Sequence, residues 1–278
     1  MSGTLFIVAT PIGNLDDLSQ RARQTLAEVD LIAAEDTRHT GRLLSHFGIK
    51  TPQYALHDHN EKQAVSKLME KLGQGISVAL VSDAGTPLVS DPGYRLVRAA
   101  HAQGIDVSPV PGACAVTAAL SAAGLPTDRF CFEGFLPSKR AARRELLTRL
   151  ATEQRTLVFY ESVHRIVDGL ADLADIFGRE RPAFVGRELT KLHEQCVHAS
   201  LGELCDSLHD GSIAMKGEFV IVVAAAQADD PSSVDIDRLL VELVEVLPGR
   251  KAAAIVAKVT NGKRNALYQR MLELTKSR

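Results

Sequence analysis

The sequence predicts an α/β protein whose N-terminal half holds a largely parallel sheet, and three observations predict it. Short apolar runs alternate with stretches of helical periodicity from residue 5 to residue 225, as in β-α repeats whose helices cover both faces of a parallel sheet. Glycine- and proline-rich segments follow three of the first-half runs, where such sheets bind ligands. No uninterrupted apolar stretch approaches the roughly 18 residues that cross a bilayer. Met1-Ser-Gly-Thr-Leu enters the first run without a basic leader, so a cytoplasmic protein is expected.

The elements follow in order. Strands are expected at Leu5–Ala9, Leu31–Ala34, Ile76–Val81 and Val107–Val110. Between the first two, Leu15, Leu18, Ala22, Leu26 and Val29 recur at three- and four-residue steps, and Asn14 stands where an N-cap belongs. That predicts one crossover helix. A second helix is expected through Ala64–Leu72, where Val65, Leu68, Met69 and Leu72 share a face before Gly73. In the second half, Thr156–Tyr160, Ala183–Val185 and Phe219–Ala225 read as strands, and Val163, Ile166, Val167, Leu170, Leu173, Ile176 and Phe177 mark helix between them.

With 278 residues and about 100–200 per domain, more than one domain is expected. A boundary is placed near residues 125–135, where Gly124-Leu-Pro ends an Ala-rich helix, and a linker at Gln227–Ser233, which is small, polar and Pro-containing. The expected division is 1–125, 126–228 and 229–278. In the last part, Ile236, Leu239, Leu240, Leu243, Val244 and Leu247 form an apolar stripe ended by Pro248-Gly249, and helices are expected at Lys251–Thr260 and about Arg264–Leu274, broken at Asn261-Gly262.

Several chemistries are disfavoured. Cys114, Cys131, Cys196 and Cys205 lack close C-x2-C pairing and are few for a disulfide framework. His57-Asp58-His59 are neighbours whose side chains alternate in extended chain, so no metal site is expected. Neither a G-x-S-x-G elbow nor a Walker-type phosphate loop is present.

The three strand-end loops hold the chemistry. The first, Thr10-Pro-Ile-Gly-Asn-Leu15, offers Gly13 for close backbone approach and Asn14 to open a helix; alone, it reads first as an ordinary strand-to-helix turn. The second, Val81–Gly93, packs two carboxylates, two glycines and two prolines into thirteen residues, the density of a preorganised ligand loop. Asp83 can accept from a ligand amine or hydroxyls, and Gly85 and Thr86 offer backbone and hydroxyl contacts. In the third, Pro111-Gly112 precedes an Ala-rich helix whose small side chains admit a flat ligand.

In this order and spacing the loops resemble those of the tetrapyrrole methylase superfamily of S-adenosylmethionine-dependent methyltransferases. Thr156–Glu161, Val185–Thr190 and Lys216–Val222 are similar to that fold's second-domain segments. More narrowly, Ala9-Thr-Pro-Ile-Gly-Asn-Leu, Ala34-Glu-Asp-Thr-Arg38, Ser82-Asp-Ala-Gly-Thr-Pro, Phe132-Glu-Gly-Phe-Leu-Pro137 and Phe159-Tyr-Glu-Ser resemble the bacterial 16S ribosomal RNA 2′-O-ribose methyltransferase I family. The resemblance spans the chain. It implies a two-domain fold with a mixed second sheet and a small C-terminal helical module. It also implies methyl transfer from S-adenosylmethionine to a cytidine 2′-hydroxyl in the decoding region of small-subunit RNA, by a homodimer. By the same resemblance Pro11 and Gly13, then Asp83, Ala84, Gly85, Thr86 and Pro87, then Pro111, Gly112 and Ala113 line the cofactor site, with Tyr160 closing over it. The first loop has fewer glycines than the superfamily pattern.

A ribose 2′-hydroxyl is a poor nucleophile when protonated, so it must be oriented in line with the sulfonium methyl and relieved of its proton. Candidate bases or orienting groups are Glu35, Asp36, Glu133, Glu161 and Glu188 with Lys191 and His193; Lys191 can alternatively stabilise an alkoxide. Each reads equally as a helix cap or an ion-pair partner.

Thirty-two basic against 34 acidic residues give a net charge of −2, which argues against a uniformly basic nucleic-acid coat. The charge is unevenly spread. Residues 138–149 carry a net +4, with Lys139, Arg140, Arg143 and Arg144 on or near one expected helical face. Residues from Pro248 onward carry a net +7, including Arg250, Lys251, Lys263 and Arg264, so the rest of the chain carries −13. Both patches are candidate RNA phosphate contacts; by composition the second fits a solvated helical cap equally well. With 5% aromatic residues and no Trp, recognition by shape and backbone within an assembled particle is favoured over base stacking. The alternatives are a tetrapyrrole-precursor methylase and a cofactor-binding RNA assembly factor without catalysis.

Overall fold

The computed structural model describes residues 2–57, 59–226, 236–260 and 262–276. The chain divides into two compact units, Met1–Ala225 and Ala226–Arg278. The first holds two five-stranded sheets.

The first sheet contains β1 (Leu5–Val8), β2 (Leu31–Ala34), β3 (Gln53–Ala55), β4 (Val78–Val81) and β5 (Val107–Val110), all parallel, in the order β3-β2-β4-β1-β5. Its central strands are buried on both sides, and period-two alternation divides them between two cores. Leu31, Ala33, Val78 and Leu80 face α3 (Glu61–Gly73) and α4 (Tyr94–Ala102). Ile32, Ala34, Ala79 and Val81 face α1 (Gln20–Glu28) and α2 (Thr37–His46). The four expected strands are present. β3, a three-residue, half-buried edge strand, was too short and too polar to announce itself.

The first crossover is not one helix. Asn14 caps a separate 3-10 turn, Leu15–Asp17, by accepting the Asp16 amide at 3.1 Å. Ser19 then caps α1 by accepting the Ala22 amide at 3.1 Å. Two good caps five residues apart each open their own helix, and Leu15 is left exposed while Leu18, Ala22 and Leu26 stay buried.

The second sheet contains β6 (Phe130–Phe135), β7 (Thr156–Ser162), β8 (Pro182–Arg187), β9 (Gln195–Ser200) and β10 (Glu218–Val223) in the order β6-β7-β10-β8-β9. Only β6 and β7 are parallel; the other pairings are antiparallel, so the sheet is mixed. Alternation again sorts the strands. Leu157, Phe159, Ile221 and Val223 pack with α6 (Arg140–Leu150), α7 (Ile166–Phe177) and α8 (Leu201–His209). Val158, Val220 and Val222 pack under α5 (Ala115–Ala122), the helix that leaves the first sheet after β5. Tyr160 shares that second face, and Glu161 therefore lies on the opposite one.

The cationic face at residues 140–144 is partly built into the fold. Arg143 is buried, and its guanidinium donates to Asp172 of α7 at 2.8 Å. Arg140 and Arg144 reach the other oxygen of the same carboxylate at 3.3 and 3.0 Å. Burial pushes the Asp172 carboxyl up, but the three arginines outweigh it and hold it below its ordinary value. A buried carboxylate needs such partners, so these cations join α6 to α7; Lys139 stays exposed.

The second unit is a three-helix packing of α9 (Ile236–Val246), α10 (Gly249–Thr260) and α11 (Arg264–Lys276) around Leu240, Ala253, Val256, Leu267 and Met271. Arg250 and Lys251 open α10, and Lys263 and Arg264 stand at the start of α11, all exposed. Arg270 is paired with Asp237 at 2.6 Å. The expected linker, Asn261, Arg278 and the Lys276 side chain lie outside the described residues.

Asp172→Ala strands the Arg143 charge in the α6–α7 interface and is expected to lower unfolding free energy by about 3–5 kcal/mol. Urea titration checks this; a loss below about 1 kcal/mol would assign the cluster no structural role.

Candidate functional site

The strand-end loops are tied to each other before they are tied to anything else. Thr10 and Gly85 exchange backbone hydrogen bonds of 2.9 and 3.0 Å, an antiparallel bridge joining the first loop to the second. Gly85 adopts φ +83°, a conformation costly for other residues, and an added Cβ would come within 3.2 Å of Ile12. The Thr86 hydroxyl donates to the Ala113 carbonyl at 3.1 Å, which links the third loop. Gly112 lies so close to Ala9 that a Cβ would meet it at 3.0 Å. Leu88 and Ser90 also have positive φ, 72° and 69°, so the second loop stores strain in the way ligand loops do.

A cavity of about 440 Å³ opens beside the bridge, within the range that accepts a nucleoside-sized ligand. The first loop supplies Thr10, Pro11, Ile12, Gly13 and Leu15, and the second supplies Asp83 and Ala84. α2 contributes His39, Arg42, Leu43 and His46, while Lys191 and Glu218 come from the ends of the second sheet. Pro11, Gly13, Asp83, Ala84 and Lys191 thus converge as expected site residues. Gly85, Thr86, Pro87, Pro111, Gly112, Ala113 and Tyr160 do not line this cavity.

Asp83 is held at both ends. Its Oδ1 accepts the Asp36 amide at 3.0 Å, and its own amide donates to Glu35 Oε2 at 3.4 Å. The second carboxylate oxygen takes no hydrogen bond from a described residue. Asp36 caps α2 and chelates Arg38, whose bonds hold that carboxyl far below its ordinary value. Such a group is a poor proton acceptor.

Lys191 enters the cavity from a strained turn in which Glu188 and Thr190 have φ +51° and +66°. Its ammonium reaches Glu188 at 2.7 Å and Glu218 at 2.9 Å. Burial pulls the ammonium down, yet the two carboxylates outweigh it and hold Lys191 above its ordinary value. Glu188 is correspondingly held low, its burial overcome by Lys191 and the Glu218 amide. Neither is poised as a base. Glu161 is buried against Arg165, 2.9 Å away, on the far face of β7, and Glu133 and His193 lie outside the cavity lining.

Tyr160 forms a separate aromatic group with Phe132 and Phe135, ring centroids 4.8 and 5.5 Å apart. Burial pushes its phenol up, with Cys114 and Asp91 adding to the effect. Asp91 is itself raised to about 6, chiefly by burial, with Asp83 adding and Ser82 opposing. Among the described residues no three side chains come together to hold a metal ion, and no helix is long and apolar enough to cross a membrane.

His39, Arg42 and His46 were missed in the sequence because α2 had not been foreseen, and Glu218, at the start of β10, was not singled out as a site residue. The signal of α2 was present: Asp36 as a cap, and 39, 42, 43 and 46 at the spacing of one helical face.

Comparison with known proteins assigns the family. Tetrapyrrole (Corrin/Porphyrin) Methylases match residues 4–205, and the RsmI C-terminal HTH domain matches residues 230–275. A ribosomal RNA small subunit methyltransferase I of Pseudomonas aeruginosa is 53% identical over 275 residues, 98% of both chains. The chain belongs to this family. Among solved structures, a cobalt precorrin-4 methyltransferase superposes with TM-score 0.59 at 18% identity, over 80% of this chain and 94% of that one. Uroporphyrin-III C-methyl transferase of Thermus thermophilus, complexed with S-adenyl homocysteine, gives 0.54 at 19%, over 80% and 97%. These show the fold; the methylase match ends at residue 205, and the HTH-domain match that takes in α9–α11 begins at residue 230.

Because its folded pKa of about 6 exceeds the ordinary 3.8, Asp91 favours the folded state in its neutral form; that contribution is present below pH 3.8 and lost as pH rises through 6. The thermal midpoint of the wild type should therefore fall relative to Asp91→Asn between pH 4 and 7. Parallel curves would contradict this environment for Asp91.

Proposed function

We propose that the chain transfers the methyl group of S-adenosylmethionine to the ribose 2′-hydroxyl of a cytidine in the decoding region of 16S ribosomal RNA. In this reading it acts in the cytoplasm as a homodimer on the assembled small subunit. One observation carries it: the cavity sets Asp83 and Ala84 of the methylase loop in the same space as Lys191 and the basic side chains of α2. A methyl donor and a polyanionic acceptor would both find matching groups there. The relatives named ribosomal RNA small subunit methyltransferase I support an RNA acceptor, and the exposed basic residues of α10 and α11 support it independently.

The loops fit the cofactor. Gly85 and Gly112 leave backbone bare where a Cβ would crowd Ile12 and Ala9, and the unpaired oxygen of Asp83 suits an amine or hydroxyl donor. Pro11, Gly13, Asp83 and Ala84 would hold it from the cavity wall, with Gly85–Pro87, Pro111–Ala113 and Tyr160 contacting the part that extends beyond that lining. When bound, it supplies an electrophilic methyl on a sulfonium.

The residues of this chain do the rest. Asp36 and Glu188 are committed to Arg38 and Lys191, and Glu161 lies on the far face of β7, outside the cavity lining, so orientation of the hydroxyl carries much of the rate. Lys191 stays protonated and stands in the cavity as a donor to the hydroxyl oxygen, whose proton passes to solvent as the O–CH3 bond forms and the sulfonium C–S bond breaks. The Glu188 and Glu218 bonds fix its position.

With methyl-labelled S-adenosylmethionine, label is expected in the RNA of small subunits, and label in no RNA fraction would overturn the reading. Asp83→Ala should weaken cofactor binding at least tenfold by calorimetry; unchanged affinity removes Asp83 from the site. Lys191→Met should lower kcat by about 10²–10³ with cofactor affinity retained, and Lys191→Arg should recover part of it. Equal kcat in wild type and Lys191→Met would assign Lys191 to packing.

A further inference from the structure

α2 runs from Thr37 to His46 with Thr40 and Leu44 buried against the first sheet. Residues 39, 42, 43 and 46 fall on another face of the helix, and that face lines the cavity. His39, Arg42 and His46 are all exposed. The described residues offer Arg42 neither an acceptor nor a carboxylate, and His46 has only an edge contact with the Phe47 ring.

The neighbouring cations are spent. Arg38 chelates Asp36 through two bonds of 3.2 and 2.9 Å. Lys191, across the cavity, is paired with Glu188 and Glu218 and keeps one N–H, which serves the reacting hydroxyl. Arg42 is therefore the cavity's uncommitted guanidinium, and a planar fork of donors matches the two non-bridging oxygens of a phosphodiester. Imidazole N–H groups at 39 and 46 flank it one turn away on either side. The other charged groups of the lining are Asp83 and the paired Lys191 and Glu218, so the positive charge open to an anion entering the cavity lies on α2.

We propose that this face of α2, Arg42 between His39 and His46, grips the phosphodiester adjacent to the target ribose. The proposal rests on the RNA-methylating reading and specifies where the RNA backbone is anchored. In a ribonucleotide the 2′-hydroxyl is on the carbon next to the one bearing the 3′-phosphodiester. Holding that phosphate therefore fixes the hydroxyl with few free rotations, and Arg42 acts as a positioning residue. Such a contact is also blind to base identity, as phosphate contacts are.

The test uses full-length protein and unmethylated small ribosomal subunits. Wild type, Arg42→Ala, Arg42→Lys and Arg98→Ala are compared, the last removing an exposed arginine of α4 that does not line the cavity. Arg42→Ala should raise KM for subunits roughly tenfold and lower kcat. It should also flatten the dependence of log kcat/KM on log salt by about 0.7–0.9, the slope of one phosphate contact. Arg42→Lys should restore the salt slope but not kcat, because charge returns without the fork. Cofactor affinity, measured by calorimetry, should be unchanged throughout, and Arg98→Ala should behave as wild type. Wild-type KM and salt slope in Arg42→Ala would overturn the proposal, as would a parallel fall in its cofactor affinity. Failure of the RNA-methylating reading itself would be visible in the wild type, as absence of label, before any variant is compared.

Discussion

The first loop can lie against the turn after β8 only because residue 13 has no side chain. A Cβ on Gly13 would fall inside Lys191 Cγ and crowd the Thr190 hydroxyl and the Leu189 carbonyl. That approach closes one wall of the cavity and carries a group from the second sheet to the loops of the first. The turn it meets is strained at Glu188 and Thr190, and Gly217 in turn makes room for the Glu188 side chain. Backbone in such conformations persists when surrounding contacts over-determine it, and here the Lys191 ion pairs and the Gly13 contact do so. Two glycines distant in sequence thus decide where one ammonium stands.

Much of this architecture was legible in the sequence. The first-sheet strands were readable because β2 and β4 are buried on both faces and appear as unbroken apolar runs. The loops after β1, β4 and β5 were readable because glycine, proline and carboxylates crowd there. Period-two alternation also explains why Tyr160 and Glu161, adjacent in the chain, have different fates: one faces α5 and the aromatic group, the other the α7 side with Arg165. What stayed hidden were the elements with weak apolar signatures. β3 is short and polar, β9 is half-exposed along its length, and α2 begins on its cap with polar residues. Missing α2 meant missing the cavity wall it builds.

Charge shows most plainly where counting fails. Residues 138–149 have a net positive count, yet three of their arginines converge on Asp172, which was counted elsewhere in the chain. A surplus within a segment says nothing of the acid the fold brings to it. The reverse holds at α2, where two histidines and one arginine are too few to register in any segment count. Among the described residues, their side of the cavity offers Arg42 no carboxylate partner. Burial and pairing, more than composition, determine which cations remain available for phosphate.

We propose that the strand-end loops and the α2 wall together present a ribose hydroxyl, and not a base atom, to the methyl donor. Digestion of small-subunit RNA to nucleosides after reaction with labelled S-adenosylmethionine, followed by mass spectrometry, tests it most directly. The label is expected in 2′-O-methylcytidine. Label on the base of any nucleoside, with none on ribose, would contradict it.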